Sequence, residues 1–297
     1  CSMLPPLVLA PRAGDAVLDL CAAPGSKTLH LLDAMHTHSA GAAAGQGILV
    51  ANDVSRDRAM SLAHRSRRSE HTPLLLMSCD ARRFPALYRR AYKLRFDRVL
   101  CDVPCSGDGT LRKNRSLWAR WQVKDGLSLH LLQLAILKRG VELLGDGGRL
   151  LYSTCSLNPL EDEAVVAAAL AHFGTETLQL CEIPPSALRA VDGGTEGLSS
   201  WRVPSPQFSD THELYSEFDQ VPAESQRRKG ASRNTLCPTM FPPGDDASED
   251  VQGRAAQIRE QLPRCRRVLP AQGDTGGFFL ALMERSRQCK GKPEPEA

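Results

Sequence analysis

Five short apolar runs, separated by longer stretches of helical period, constrain this chain more than any other feature. They are "AVLDLC" at 16–21, "GILVAND" at 47–53, "LLLMSCD" at 74–80, "DRVLCD" at 97–102 and "GRLLYST" at 148–154. Runs of this length with little polar alternation are strands covered on both faces, and strands alternating with helices give a mostly parallel sheet. Between the last two runs, Leu127, Leu131, Leu134, Val141 and Leu144 recur at helical spacing until "GDGG" at 145–148 stops the helix. Weaker strands are expected at "LQLCEI" (178–183) and "GGFFLALME" (276–284). The reading is an α/β fold with helices on both faces of the sheet.

After Leu157, "NPLEDEAVVAAALAHFG" carries the signals of another helix: Asn158 as N-cap, Pro159 at the first helical position, Glu161 three residues in, and Gly174 past the end. From about Gly193 to Arg254 the texture turns polar and loses its period. We therefore divide the chain into a core at 1–192, a partly disordered polar insertion at 193–256, and a segment at 257–297 that completes the core sheet and ends in a solvated tail. Within the insertion "CPTMFPPGD" (237–245) is a proline-bracketed apolar island expected to dock on the core. The opening "CSMLPPLVL" reads as the middle of something longer, a core truncated at its N-terminus.

The 297 residues, 42% of them hydrophobic, suffice for a large core. Ten cysteines scattered without regular spacing read as reduced intracellular thiols rather than a disulfide framework. Cys101 and Cys105 form a C-x3-C pair, but no second pair or histidine cluster accompanies them, so no structural metal is expected. No apolar run approaches the ~18 to 20 residues of a membrane span. The net charge of +3 permits a polyanionic partner without demonstrating one.

Strand one runs into "CAAPGSKT", where small residues let a ligand approach the backbone and a helix N-terminus offers free N–H groups. The spacing matches neither GxGxxG nor GxxxxGK[ST], so no dinucleotide or P-loop nucleotide is indicated. Strands two and three end at Asp53 and Asp80, where ligands of open α/β sheets lie, and two carboxylates there suit ribose hydroxyls and an exocyclic amine. Either alone would read as a helix cap. Strand four feeds "DVPCSGDGT", with Asp102 at the pocket edge, and Cys155 in "STCS" holds the corresponding place after strand five.

These stretches resemble the Sun-family RNA cytosine-5 methyltransferases, which use S-adenosyl-L-methionine. The resemblance is carried by "SMLPP" at 2–6, "LDLCAAPGSKT" at 18–28, "ANDV" at 51–54, "DRVLCDVPCSGDGTLRKN" at 97–114, "GGRLLYSTCSLNPLEDEAVV" at 147–166, "TMFPP" at 239–243 and "DTGGFFLALM" at 274–283. It is strongest toward the branch that methylates tRNA in eukaryotes. It implies a Rossmann-like class I methyltransferase fold with a mostly parallel seven-stranded sheet whose last strand is antiparallel. It implies that Cys21, Ala22, Ala23, Pro24, Gly25, Ser26 and Lys27, with Asp53, Asp80 and Asp102, hold the cofactor. It further implies that Cys155 is the nucleophile, that Lys27 and Asp102 lie near the target cytosine, and that Cys105 helps release the product. The family's RNA-contacting segment ahead of Cys1 is missing, and the stretch at 203–234 is longer and more polar than the pattern.

Carbon 5 of cytosine becomes nucleophilic once a thiolate adds to carbon 6, which is why such chemistry needs an activated cysteine and a group to stabilise N3. The position of Cys155 before the Asn158 cap favours its ionisation, whereas Asp102 and Asp108 oppose that of Cys105. For RNA, "LRKNRSLWARW" sets Arg112, Lys113 and Arg115 beside Trp118, suiting phosphate contacts and base stacking. Its plainer reading is a solvated helix whose tryptophans, three apart, share a buried face. The arginine-rich "RDRAMSLAHRSRR" at 56–68 reads as an exposed helix face.

Two rival functions fit the same residues: a DNA cytosine-5 methyltransferase using the Pro-Cys dipeptide, and an idle RNA-binding scaffold. Against the first, no Glu-Asn-Val follows Cys105; against the second, Lys27, Asp102 and Cys155 are all intact. The expected partner is RNA, chiefly tRNA, bound by a monomer. The expected compartment is the nucleus, with mitochondrion and cytoplasm as alternatives.

Overall fold

The computed structural model describes residues 3–37, 47–67, 73–89, 92–227, 235–244, 249–271 and 273–287. The five runs form parallel strands β1 (Ala16–Asp19), β2 (Ile48–Asn52), β3 (Leu74–Met77), β4 (Phe96–Asp102) and β5 (Leu144–Thr154). β1 pairs with β2 on one side and β4 on the other, with β3 and β5 outside them. Its Val17 and Leu18 are wholly buried, as an apolar strand covered on both faces must be.

Beyond β5 come β6 (Leu178–Leu180), β7 (Thr195–Glu196), β8 (Arg266–Val268) and β9 (Phe278–Arg285). β9 runs antiparallel along β5, from Phe279 opposite Thr154 to Glu284 opposite Arg149. Its other edge is shared: β8 pairs with residues 278–280 and β6 with residues 283–285. β7 extends β8 and brings the sheet to nine strands. The seven expected strands are all present. The two additions, Arg-Arg-Val and Thr-Glu, lack the apolar run by which a strand is read.

Among the described residues the α-helices longer than a single turn are α1 (Leu4–Leu9), α2 (Ser26–Thr37), α3 (Arg56–Ser66), α4 (Val123–Leu143), α5 (Glu163–Phe173) and α6 (Glu249–Gln261). One face of the sheet packs Leu4, Val8 and Leu9 of α1 with Leu31, Leu32 and Met35 of α2. The other packs Leu134, Leu137 and Val141 of α4 with Val165, Val166 and Leu170 of α5. No helix among the described residues is long and apolar enough to cross a membrane.

α5 starts at Glu163, not at Pro159. Asn158 caps only a tight turn, its Oδ1 accepting from the Leu160 N–H at 3.2 Å. Glu161 turns inward instead of back toward the helix start, and Gly174 ends the helix at φ +80° as the sequence indicated.

Within 193–256, Trp201, Val203, Tyr215, Val221, Leu236, Met240 and Phe241 are buried in the core shared with α4 and α5. The Trp201 indole donates to the Met240 carbonyl at 2.8 Å, and the buried His130 ring is 2.9 Å from the Thr239 hydroxyl. Residues 228–234 and 245–248 of this stretch, and the tail from 288, lie outside the described residues.

Candidate active site

Strands β4 and β5 are parallel neighbours with Asp102 opposite Ser153, so the chain leaves both strands side by side at their carboxyl ends. The loops stay joined: Val103 N–H donates to Ser153 O at 3.1 Å and Gly109 N–H to Cys155 O at 3.0 Å. The consequence is a distance of 3.1 Å between Cys105 Sγ and Cys155 Sγ, with both thiols free. Ser153 Oγ donates to Asp102 Oδ1 at 2.8 Å, and Lys27 Nζ meets Asp102 Oδ2 at 2.7 Å. Lys27 arrives from the first turn of α2, because β1, which leads into that helix, adjoins β4. Its ammonium also lies 5.6 Å from the centre of the Phe278 ring. The structure therefore gathers Cys155, Cys105, Asp102 and Lys27 in one place.

Glycine makes this crossing possible. A Cβ on Gly109 would lie 2.6 Å from Gly277 O and 2.7 Å from Cys155 O, closer than any side chain can sit. Gly277 N–H closes the contact on Gly109 O at 2.6 Å, tying the start of β9 to the Cys105 loop.

The two thiols differ electrostatically. The hydrogen bond from Cys105 holds Cys155 below the usual thiol range; burial, Asp102 and Asp108 oppose this and Lys27 assists it. That same bond, then burial, and further the Glu161 charge, push Cys105 well up. The direction is the one expected from sequence, but its cause is not the start of α5, which lies further along the chain. Nor do Asp102 and Asp108 act chiefly on Cys105; both act on Cys155.

At the ends of β1, β2 and β3 a second group forms. Ala22 N–H donates to Asn52 O at 2.7 Å and Ala23 N–H to Asp53 Oδ2 at 3.2 Å, while Ser55 N–H donates to Asp53 Oδ1 at 2.9 Å. Ala22, Ala23 and Gly25 are buried, Pro24 and Ser26 exposed, and Cys21 is half-buried with its thiol pushed up by burial. Gly25 has φ +101°, and a Cβ there would meet Leu62 of α3 at 2.3 Å. α3 is more than an exposed face, since Arg58 and Arg65 donate to the Ala23 and Pro24 carbonyls at 2.5 and 2.9 Å.

Asp80 follows Cys79, which bonds Asn52 of this group, but its own carboxylate is engaged elsewhere. It caps the turn at 81–83 and pairs with Arg82, whose guanidinium holds its carboxyl below the usual range. The capping role that either aspartate alone could have had is the one Asp80 fills.

Sequence reasoning missed Asn52, Ser153 and Glu161. Asn52 bonds Leu20 O at 3.1 Å, Cys79 O at 3.0 Å and the Cys79 N–H at 3.0 Å, fastening three loops under the turn. Glu161 was read as a capping residue. A polar side chain inside "VAND" or "YSTCS" is the one available signal, and it is not specific.

Arg112 is held to Asp274 Oδ1 at 2.7 Å and to Thr275 O at 3.1 Å, close along the chain to Gly277. Lys113, Arg115 and Trp118 are exposed, Trp118 at 71%. The tryptophans do not share a buried helix face. Only one helical turn, Leu117–Arg120, forms here, and Trp121 lies beyond it in extended backbone.

The family model described as 16S rRNA methyltransferase RsmB/F matches residues 6–212. A tRNA (cytosine(34)-C(5))-methyltransferase of Drosophila melanogaster is 37% identical over 97% of this chain and 36% of its own length. A multisite-specific tRNA:(cytosine-C(5))-methyltransferase of Saccharomyces cerevisiae is 39% identical over 96% of this chain and 38% of its own. The chain thus spans little more than a third of the length of these curated relatives. Among solved structures, a methyltransferase homologue from Pyrococcus horikoshii aligns with TM-score 0.58 at 25% identity, covering 96% of this chain and 66% of that one. NSun6 from the same organism, determined with SFG, shares the fold at TM-score 0.60 and 22% identity, over 97% of this chain and 52% of its own. With the family model matching well over half of its residues, and relatives alike along almost all of it, the chain belongs to the RsmB/F family, the Sun family that its motifs resemble.

Proposed function

We propose that this chain methylates carbon 5 of cytosine in RNA, using S-adenosyl-L-methionine, with tRNA as the substrate class. The observation that carries the reading is the sulfur pair at 3.1 Å, one thiol lowered and one raised, beside the Lys27–Asp102 contact at 2.7 Å. The names of the curated relatives support tRNA.

The donor set fits the cofactor. Asp53 Oδ1 accepts one backbone N–H and keeps a lone pair for a ribose hydroxyl, while its Oδ2 takes the Ala23 N–H and lies 3.7 Å from the Arg58 guanidinium; the first N–H groups of α2 have no intrahelical acceptor and suit a carboxylate. Cys21 to Lys27, with Asp53 and Asp102, would hold the group; Asp80, whose oxygens are taken by Arg82, is left to its capping role. When bound, it supplies an electrophilic methyl group.

The chain's own residues do the rest. The Cys155 thiolate gives its electron pair to carbon 6 of the ring, displacing the C5–C6 π pair toward carbon 5. Asp102, oriented by Ser153 and Lys27, holds the proton at N3 that neutralises the charge developing there. Once carbon 5 carries the methyl group, water takes its proton, the C–H pair re-forms the C5–C6 double bond, and the C6–S pair leaves with Cys155 as thiolate. Cys105 is within reach to stabilise that thiolate through its S–H.

The test is incubation with isotopically labelled cofactor and tRNA, followed by bisulfite mapping. Label retained at cytosines is expected. Label confined to adenine or guanine would overturn the assignment.

A further inference from the structure

Beneath the two sulfurs, four hydrogen bonds end on one carboxylate. Glu161 accepts from the Ser106 N–H at 2.8 Å, the Ser106 hydroxyl at 2.5 Å, the Ser156 hydroxyl at 2.9 Å and the Gln133 amide at 3.0 Å. Ser106 follows Cys105 and Ser156 follows Cys155. One side chain is therefore tied to the residue after each cysteine. The Gln133 amide also donates to Pro104 O at 3.0 Å, which fixes the other side of Cys105 to α4.

Room for this arrangement is built into α4. A Cβ at Gly126 would lie 3.1 Å from Glu161 Oε2 and 2.2 Å from Asn158 Nδ2, so glycine there lets both side chains lie against α4 without moving aside. Glu161 has no exposed surface, and burying a carboxylate is costly unless its lone pairs are met. Neighbouring Glu163 meets that cost with a cation, Arg267. Glu161 meets it with hydroxyl, amide and backbone donors from the two cysteine loops and α4, and among the described residues it has no ion-pair partner. A carboxylate placed this way adds little to helix capping and much to the spacing of two loops.

We propose that Glu161 is a positioning residue for methyl transfer, holding the Cys105 and Cys155 loops so that their sulfurs stay within hydrogen-bond reach. The inference rests on the functional reading above, but the geometry can be probed without any methylation. Its charge adds a second effect, since it faces Cys105 and helps that thiol keep its proton, leaving Cys155 as the thiolate. Spacing, and a smaller contribution to where the proton sits, then come from one residue that touches neither substrate nor cofactor.

The test compares wild type, Glu161→Gln and Glu161→Ala in the full chain, each checked for folding by circular dichroism. The first readout is the rate of Cys105–Cys155 disulfide formation with oxidised dithiothreitol, followed by peptide mass spectrometry. The second is the ratio of iodoacetamide labelling at Cys155 to that at Cys105. Glu161→Ala should slow disulfide formation by about tenfold or more, as loss of placement does in other reacting pairs. Glu161→Gln, which can still bond both serines, should recover most of that rate while its labelling ratio falls, because the charge is gone. A folded Glu161→Ala variant that closes the disulfide at the wild-type rate would overturn the proposal. If Glu161→Ala does not fold, Ser156→Ala, which cuts the tie between Glu161 and the Cys155 loop, decides, and a folded variant that closes the disulfide at the wild-type rate would overturn the proposal. A wild-type chain that closes the disulfide rapidly yet never methylates cytosine would refute the functional reading and leave the geometry standing.

Discussion

Cys105 lies three residues beyond β4 and Cys155 one residue beyond β5, on adjacent parallel strands and in loops bonded to each other. Their surroundings nevertheless separate them. Cys155 has Lys27 among the groups that act on it and accepts the one S–H the pair can share; Cys105 donates that S–H and faces Glu161. A single proton between two sulfurs cannot serve both, so whatever favours it on one favours the anion on the other. The nucleophile is thus chosen first by the hydrogen bond between the two loops, with Lys27 from α2 and Glu161 from the turn before α5 adding to the same asymmetry.

The strongest way to break this asymmetry is to remove each sulfur in turn. Cys155→Ala should lower methylation by more than about 10³-fold and abolish the protein–RNA adduct. Cys105→Ala should leave attack intact and accumulate adduct, visible as a shifted band on a denaturing gel. The opposite pattern would exchange their roles. Next in size is Asp102→Asn, which keeps the shape but removes the group that holds the proton at N3; a fall in kcat of roughly 10²-fold is expected from single-turnover assays.

A pH profile sharpens the same comparison without RNA. Thiolate reacts and thiol does not, so alkylation of Cys155 should rise with pH through its ionisation, which Cys105 holds below the usual thiol range. Cys105→Ala removes the donor, and the inflection should move to higher pH. An unmoved inflection would mean that Cys105 does not set it, leaving Lys27 as the group that lowers it against burial, Asp102 and Asp108.

Much of this was legible in the sequence, for identifiable reasons. Period and run length mark β1, β2, β4, β5 and α4, because each is buried on at least one face and must be apolar there; β3, an edge strand with Leu75 exposed and its other residues half-buried, shows by run length alone. The cysteines, Asp102 and Lys27 sit at strand ends or a helix start, where an α/β sheet collects its reactive groups. Glu161 was hidden for the converse reason. Three residues after a plausible Asn158 cap, a glutamate satisfies the capping pattern, and nothing local says that Ser106, fifty-five positions earlier, is its partner. Asp80 misled in the other direction, since its nearest cation, Arg82, is two residues away and takes its carboxylate. β7 and β8 escaped because strands of two and three residues on a sheet edge are held by pairing rather than by pattern.

The smallest expected effect concerns the contact that keeps the two loops together rather than the groups they carry. Gly109 touches Gly277 and Cys155 through backbone atoms alone, so a methyl group at Gly109 has no flexible side chain to push aside. Gly109→Ala must therefore separate the Cys105 loop from the start of β9, from the Cys155 loop, or from both. Overpacking of this kind typically costs about 1–3 kcal/mol, read as a lower denaturant midpoint at unchanged slope. The informative readout is again the disulfide between Cys105 and Cys155. If the loops part, its formation slows along with the loss of stability; if β9 gives way instead, stability falls while the sulfurs stay close. The second outcome would leave the Glu161 bonds as the tether that outlasts the glycine crossing, because Ser106 and Ser156 reach that carboxylate without passing through Gly109.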